Sequence, residues 1–238
     1  MNRILWYELK RLIWNKVFVG LLAVLLLYGY AQLTGSIIRG VANTAPFSPW
    51  SYGFYLSQMI SILLIALLFF FAALNSPKEK RVQAILFATG VRQSHYWLTK
   101  AASHMIGFSL LCIIAGLAAV VFYISLFHFK DFTSFFVPML FALIPPVIFT
   151  LGLGMVLGRI HIGLVYLFMI ALTIYDSIPF PYELSVTAGN FFSRYPLELK
   201  VLDPAFSVPA GFLASRLAYI AAGLLLIAFC LMKKARRR

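Results

Sequence analysis

Long uncharged apolar stretches alternate with short polar ones along almost the whole chain. A helix needs roughly 20 apolar residues to cross the hydrocarbon core of a bilayer. Six stretches of suitable length occur, at residues 17–38, 54–74, 104–127, 135–157, 162–178 and 212–232. The pattern therefore predicts an all-α polytopic membrane protein with six transmembrane helices, in a domain that covers residues 17–238.

The first sixteen residues have a different pattern, in which apolar and charged side chains take opposite faces of one helix. The apolar face is formed by Leu5, Trp6, Leu9, Leu12 and Ile13. Arg3, Lys10 and Arg11 lie opposite, where they would favour anionic headgroups. We expect residues 1–16 to form an interfacial helix at the cytoplasmic surface. The alternative is that they extend the first span into the cytosol.

The second and third stretches are separated by residues 75–103, which is long for a connection in a compact bundle. Apolar positions recur within it at helical spacing, at Val82, Ile85, Leu86 and Thr89. Gly90 follows where a helix would end, so we predict a short amphipathic helix, a turn and a helix that leads into the third span. The apolar face of the short helix needs a surface, and we favour a protein partner over lipid.

The segment at residues 179–211, between the fifth and sixth stretches, is rich in proline, which prevents a long helix. The prolines are Pro179, Pro181, Pro196, Pro204 and Pro209. Irregular backbone at membrane depth survives only when it is buried in protein or lines a water-filled cavity. Two interpretations stay open, namely short helices that re-enter the outer leaflet against the bundle and a purely extracellular loop.

Composition and charge agree with a membrane location. Of the 238 residues, 62% are hydrophobic and 11% are charged, whereas soluble domains carry roughly 25% charged residues. An ordinary soluble globular protein is therefore excluded. The net charge of +13 does not by itself indicate a nucleic-acid partner, because in a membrane protein the position of the cations matters more than their sum.

The cations are distributed unevenly between the two sides that six spans would create. If the N-terminus is cytoplasmic, 15 of the 20 Lys and Arg lie in cytoplasmic segments, together with Glu8 and Glu79. The other five cations share the opposite side with the remaining five acids. This is the positive-inside pattern, and we expect a multi-pass protein of the cell membrane with both termini in the cytoplasm.

Residues with a chemical role are few. No phosphate-binding loop of the form Gly-x4-Gly-Lys-Ser/Thr occurs, and the four histidines lack metal-ligand spacing. We expect a protein that is not an enzyme and binds no cofactor directly. Pro145 and Pro146, which should kink or interrupt the fourth span, and Asp176, near the outer end of the fifth, are candidate gating or path residues. Irregular packing at the prolines and simple interfacial exposure of Asp176 are the alternatives.

Two further features of the spans concern packing. Gly152, Gly154 and Gly158 in the fourth span predict close approach of a neighbouring helix. Arg216 falls one turn inside the sixth stretch. That helix should therefore begin later, or let the arginine side chain extend to the membrane surface.

Residues 75–100 resemble the cytosolic segment between the second and third spans of ABC-2 type transporter permeases, with the sequence NSPKEKRVQAILFATGVRQSHYWLTK. That family shows charged residues, an amphipathic helix, a turn and then a lysine at the start of the third span. The matching residues are Glu79, Lys80, Ile85, Leu86, Thr89 and Lys100, with Gly90 where proline is usual.

The resemblance implies a permease subunit with an N-terminal elbow helix, six spans and a re-entrant outer segment. In such transporters two permease copies, identical or related, enclose the path, and a separate ATP-binding subunit supplies ATP and Mg²⁺ chemistry. The residues expected to couple to that subunit are Glu79, Arg81, Ile85, Leu86, Phe87, Gly90 and Arg92. The implied activity is export of a hydrophobic or amphipathic substrate such as a lipid, drug or peptide.

Two other functions fit the same sequence. A non-transporting membrane scaffold or sensor could recruit a cytosolic partner through residues 75–103. An ion-coupled carrier is a weaker hypothesis, because the spans contain almost no ionisable residues. Membrane lipids are expected partners in every case, and nucleic acid is not.

Overall fold

The computed structural model describes residues 2–74, 93–178 and 180–235. Within these ranges the chain forms α-helices and two short 3-10 turns and contains no β-strand. The helices are α1 (Asn2–Ile13), α2 (Lys16–Gly35), α3 (Pro49–Leu74), α4 (Gln93–Phe127), α5 (Phe136–Ile160), α6 (Ile162–Ser177), α7 (Gly189–Glu198) and α8 (Ala210–Ala235). The all-helical fold class is therefore confirmed.

Five of these helices, α2, α3, α4, α5 and α8, are long and apolar enough to cross a membrane. Each corresponds to a predicted span. The remaining predicted span, at residues 162–178, corresponds to α6, which is apolar but has only 16 residues. At 1.5 Å per residue α6 measures about 24 Å, somewhat less than the roughly 30 Å of a bilayer core.

The helix α3 lies at the centre of the described bundle. It packs against α2, α4, α5, α6 and α7, and it buries aromatic and aliphatic side chains on all sides, including Trp50, Tyr55 and Leu63. A helix that is apolar all round is expected in such a position, because no face of it meets water.

The glycines of α5 hold it close to two neighbours. A Cβ added at Gly152 would lie 2.5 Å from the carbonyl oxygen of Gly223 in α8, so the two backbones are in contact there. Added Cβ atoms at Gly154 and Gly158 would meet Leu68 and Phe71 of α3. The predicted role of these glycines in packing is confirmed.

Two non-helical residues, Trp14 and Asn15, separate α1 from α2. Asn15 has an extended backbone, with φ −76° and ψ 136°, and its Oδ1 accepts a hydrogen bond from the Val17 backbone N–H at 3.1 Å. This is an N-cap, which ends one helix before the next begins. The alternative that residues 1–16 merely extend the first span is therefore wrong, and the first helix ends at Ile13.

Candidate functional site

The connecting segment, residues 178–209 between α6 and α8, is held by a buried arginine of α8. Arg216 is 1% exposed. Its Nη1 donates to the Val186 carbonyl at 2.9 Å, and its Nη2 donates to the carbonyls of Tyr182 and Ser185. The guanidinium thus satisfies three backbone acceptors that no regular secondary structure satisfies.

Aromatic side chains also lie around Arg216 and the backbone carbonyls near it. The hydroxyls of Tyr175 in α6 and Tyr219 in α8 both donate to the Leu184 carbonyl, at 2.7 and 2.6 Å. The Arg216 guanidinium carbon lies 4.4 Å from the Phe212 ring centroid and 5.2 Å from that of Tyr219. Ring faces stabilise a cation where water is excluded, so they help to accommodate the charge, and no carboxylate among the described side chains pairs with it.

The position of Arg216 contradicts both sequence-based expectations. The helix does not begin after it, since α8 starts six residues earlier, and the side chain does not extend to the membrane surface. The sequence signal that could have indicated this role is an arginine shortly after a proline-rich segment, because such a segment leaves carbonyls in need of donors.

The connecting segment runs along the first turns of α3. A Cβ added at Gly189 would lie 3.4 Å from Ser57 Oγ, and Ser57 is eight residues inside α3, or about 12 Å along its axis. From there the segment returns towards the start of α3, where Trp50 Nε1 donates to the Pro204 carbonyl at 2.8 Å. Asp203 then accepts from the Ala45 backbone N–H at 3.1 Å.

The innermost part of the connecting segment is buried in protein. Residues 185–189 are all buried, and Ala188 adopts a left-handed conformation with φ 63° immediately before α7. The Phe191 ring of α7 stacks on Phe212 of α8, with centroids 3.8 Å apart. A non-glycine residue in this conformation costs about 1–2 kcal/mol, and the surrounding aromatic packing holds it in place.

A second feature is an apolar groove between α4 and α5 at the surface of the bundle, where lining residues such as Ile113 and Leu117 are exposed. Its volume is about 670 Å³, within the range of roughly 300–1,000 Å³ typical of ligand pockets. The groove exists because α4 and α5 both pack on α3 and make few contacts with each other. Its floor is formed by Tyr52 and Leu56 of α3, and its walls lie between Phe108 and Val120 and between Phe136 and Ile148.

One end of the groove is closed by the connection between α4 and α5. Phe132 and Phe135 from this connection line the groove, and the Tyr52 ring stacks on Phe135 with centroids 4.4 Å apart. In the same connection the Thr133 hydroxyl and backbone N–H donate to Asp131 Oδ1, at 2.6 and 3.1 Å. These bonds hold the pKa of Asp131 below its ordinary value, so the rim carries a carboxylate beside Lys130.

The helix predicted at residues 1–16 is present as α1, and its place at the membrane surface stays a prediction. Its apolar residues do not share one environment. Leu12 and Ile13 pack against the core, and Leu12 contacts Gly107 of α4. Leu5 and Leu9 are half-buried, whereas Trp6 is 68% exposed. The contact between α1 and α4 explains the difference, because only the face towards α4 is covered.

The candidate gating prolines lie inside a continuous helix. Pro145 and Pro146 are both buried within α5, which runs from Phe136 to Ile160. The two prolines therefore do not interrupt the helix, while the alternative of a kink and the gating role stay predictions. Each proline lacks a backbone N–H, which leaves the carbonyls four residues earlier without that helical donor. Asp176 belongs to the last turn of α6, and its side chain lies outside the described part of the structure.

The predicted coupling residues, Glu79, Arg81, Ile85, Leu86, Phe87, Gly90 and Arg92, lie outside the described residues. The helix expected after them is continuous with the third span in α4. Within α4, Lys100 is buried and its Nζ donates to Tyr96 Oη at 3.1 Å. No group of three potential metal ligands occurs among the residues that the structure describes.

The five long apolar helices and the apolar surfaces between them define a polytopic helical membrane protein. Comparison with protein-family models, curated proteins and solved structures finds none that matches the chain.

Proposed function

We propose that the chain is the permease subunit of an ABC-2 type transporter, on which a separate ATP-binding subunit docks between α3 and α4. The observation that carries the proposal is the resemblance of residues 75–100 to that family's cytosolic segment, at the expected place between the second and third long apolar helices. ATP and Mg²⁺ are then bound by the partner. The two nucleotide states of the partner shift the equilibrium between permease conformations only if they bind those conformations with different affinities.

The arrangement of the other elements supports this proposal. A separate α1 before the first long helix corresponds to the family's elbow helix. The connecting segment reaches about 12 Å along α3, and its innermost residues, 185–189, are buried in protein, as irregular backbone in the outer leaflet requires. With α6 as a short fifth crossing, six spans place both termini in the cytoplasm, and modest bilayer thinning accommodates the short helix.

The proposed transporter contains two permease copies, identical or related, and exports a hydrophobic or amphipathic substrate across the cell membrane. The proposal fits the scarcity of ionisable side chains in the spans, because a path coupled to ATP hydrolysis in a partner needs no proton or ion relay of its own.

The test is co-purification of the ATP-binding subunit with a double variant, Leu86→Asp and Phe87→Asp. Each substitution replaces an apolar side chain that is proposed to contact the partner by a charged one, so association should fall by about tenfold or more. The matched control is Val201→Asp with Leu202→Asp, an exposed apolar pair on the connecting segment, which should leave association unchanged.

Membrane insertion of both variants is checked by fractionation. Association of the Leu86, Phe87 variant at the wild-type level would contradict the proposed docking site. A bound ATP-binding subunit without substrate-stimulated ATP hydrolysis would instead indicate a scaffold or sensor.

A further inference from the structure

We propose that the groove between α4 and α5 is a binding site for one acyl chain of a membrane phospholipid, which resides there as a bound lipid. This inference is independent of transport, because a non-transporting membrane subunit with the same fold would hold the same lipid.

The dimensions of the groove fit a chain from a single leaflet. The lining stretch of α4 runs from Phe108 to Val120 and that of α5 from Phe136 to Ile148. At 1.5 Å per residue each stretch measures about 18 Å. One leaflet contributes about half of the roughly 30 Å hydrocarbon core, so an extended acyl chain that starts at the closed end of the groove fills its length.

The chemistry of the lining fits the uncharged part of a lipid. Among the described residues no charged side chain lines the groove, and the walls are mostly aliphatic and aromatic. Apolar lining alone does not select a chain from the bilayer, because lipid tails are as apolar as leucine. A selective site therefore needs shape and at least one polar contact.

Tyr52 supplies the polar contact. Its side chain is 3% exposed and lines the groove, and its hydroxyl lies over Gly116, where an added Cβ would be 3.3 Å away. None of the described residues forms a hydrogen bond with this hydroxyl. We assign it as donor to an ester carbonyl oxygen of the bound lipid, because a tyrosine hydroxyl in such a place normally has a partner.

The rim of the groove suits a phospholipid headgroup. Lys130 and Asp131 are exposed in the connection that closes one end, next to the lining residue Phe132. The Lys130 ammonium complements a lipid phosphate, and the Asp131 carboxylate complements the positive charge on the nitrogen of a zwitterionic headgroup. The bound chain then belongs to the leaflet on this side, which the proposed topology makes the outer one.

The experiment is photolabelling of the purified protein in phosphatidylcholine vesicles with phosphatidylcholine that carries a diazirine in the middle of one chain. Peptide mapping should find several-fold more label on residues 108–120 and 136–148 than on the lipid-facing surface of α2, which includes Val24 and Leu27. Equal labelling would overturn the proposal, since the groove would then hold only exchanging bilayer lipid.

Three variants sharpen the result. Ser109→Phe fills the groove and should lower its labelling about tenfold, whereas Ser125→Phe, at an exposed serine of α4 outside the groove, should leave it unchanged. Tyr52→Phe should lower retention of the lipid after detergent washing about two- to tenfold, the factor expected for one neutral hydrogen bond. No effect of Ser109→Phe would overturn the proposal even where Tyr52→Phe fails to fold.

A second copy of the chain is the competing occupant. Crosslinking through Ser109→Cys to another copy, together with absence of groove labelling, would replace the lipid by a helix of that copy and overturn the assignment.

Discussion

At the scale of single residues, Arg216 is the most constrained side chain in the described structure. A buried charge costs several kcal/mol, and no described carboxylate lies within ion-pair distance of it. Three charge-assisted hydrogen bonds and two aromatic faces offset that cost. The guanidinium fork matters because a single lysine ammonium cannot present its donors in the same plane.

Replacing Arg216 with methionine should loosen the connecting segment. The carbonyls of Tyr182, Ser185 and Val186 lose their donors, at about 1–3 kcal/mol for each buried acceptor that stays unsatisfied. We expect a lower unfolding temperature in detergent and amide hydrogen exchange at residues 182–188 that is faster by about tenfold or more.

Arg194→Met is the matched control, because Arg194 is an exposed residue of α7 in the same segment. Its effect should stay within about 0.5 kcal/mol. Equal exchange at residues 182–188 in the two variants would show that Arg216 does not hold the segment.

At the scale of helices, the backbones of α5 and α8 come into direct contact, because two glycines remove the side chains that would separate them. Gly152 of α5 faces Gly223 of α8, and an added Cβ at Gly223 would lie 2.6 Å from the Ile148 carbonyl oxygen. In lipid such contacts are stabilised by van der Waals packing. The hydrophobic effect does not drive helices together there, because lipid tails are as apolar as the side chains.

The variant Gly223→Ala should destabilise the bundle, because backbone atoms of α5 must move to make room. Overpacking of this kind costs about 1–3 kcal/mol. Gly20→Ala should have the opposite sign, because Gly20 lies inside α2 with open space around it and alanine favours a helix by about 0.5–1 kcal/mol. Thermal unfolding of both variants in one detergent provides the measurement, and the same sign for both would contradict the contact.

At the scale of the whole molecule, charge and hydrophobic length jointly set the expected orientation in the membrane. The segments assigned to the cytoplasm carry a net charge of +13, and those assigned to the outside carry none. The positive-inside rule then applies to every short connection. In this expected orientation residues 75–92 would face the cytoplasm and the connecting segment would face the outer leaflet.

The orientation is tested with single cysteines at Ser76 or Val201, in a protein whose Cys112 and Cys230 are replaced by alanine. A maleimide that does not cross membranes should label Val201→Cys in intact cells, and Ser76→Cys only in inverted vesicles. Both native cysteines lie inside apolar helices, so the alanine replacements remove no disulfide. Labelling of Ser76→Cys from outside intact cells would contradict the orientation and the proposed docking site.

The periodicity of the sequence predicted α3, α5 and α8 to within a few residues at most ends, because uninterrupted apolar length is a local property. It was less accurate for α4, which begins at Gln93, eleven residues before the predicted span. Those residues include Lys100, whose charge placed it before the span, in the helix predicted to lead into it; its side chain is buried and donates to Tyr96 within α4. Local polarity alone does not reveal that a helix shields such groups.

The sequence alone indicated that this chain belongs in a bilayer and approximately where its helices begin and end, since both depend on residue type and spacing. The expected orientation, with most cations on one side, also comes from the sequence alone. Only the tertiary structure decided that Arg216 is buried and donates hydrogen bonds to carbonyls of the connecting segment, and that a groove separates α4 from α5. Both depend on contacts between residues far apart in the chain, for which apolar periodicity carries no signal.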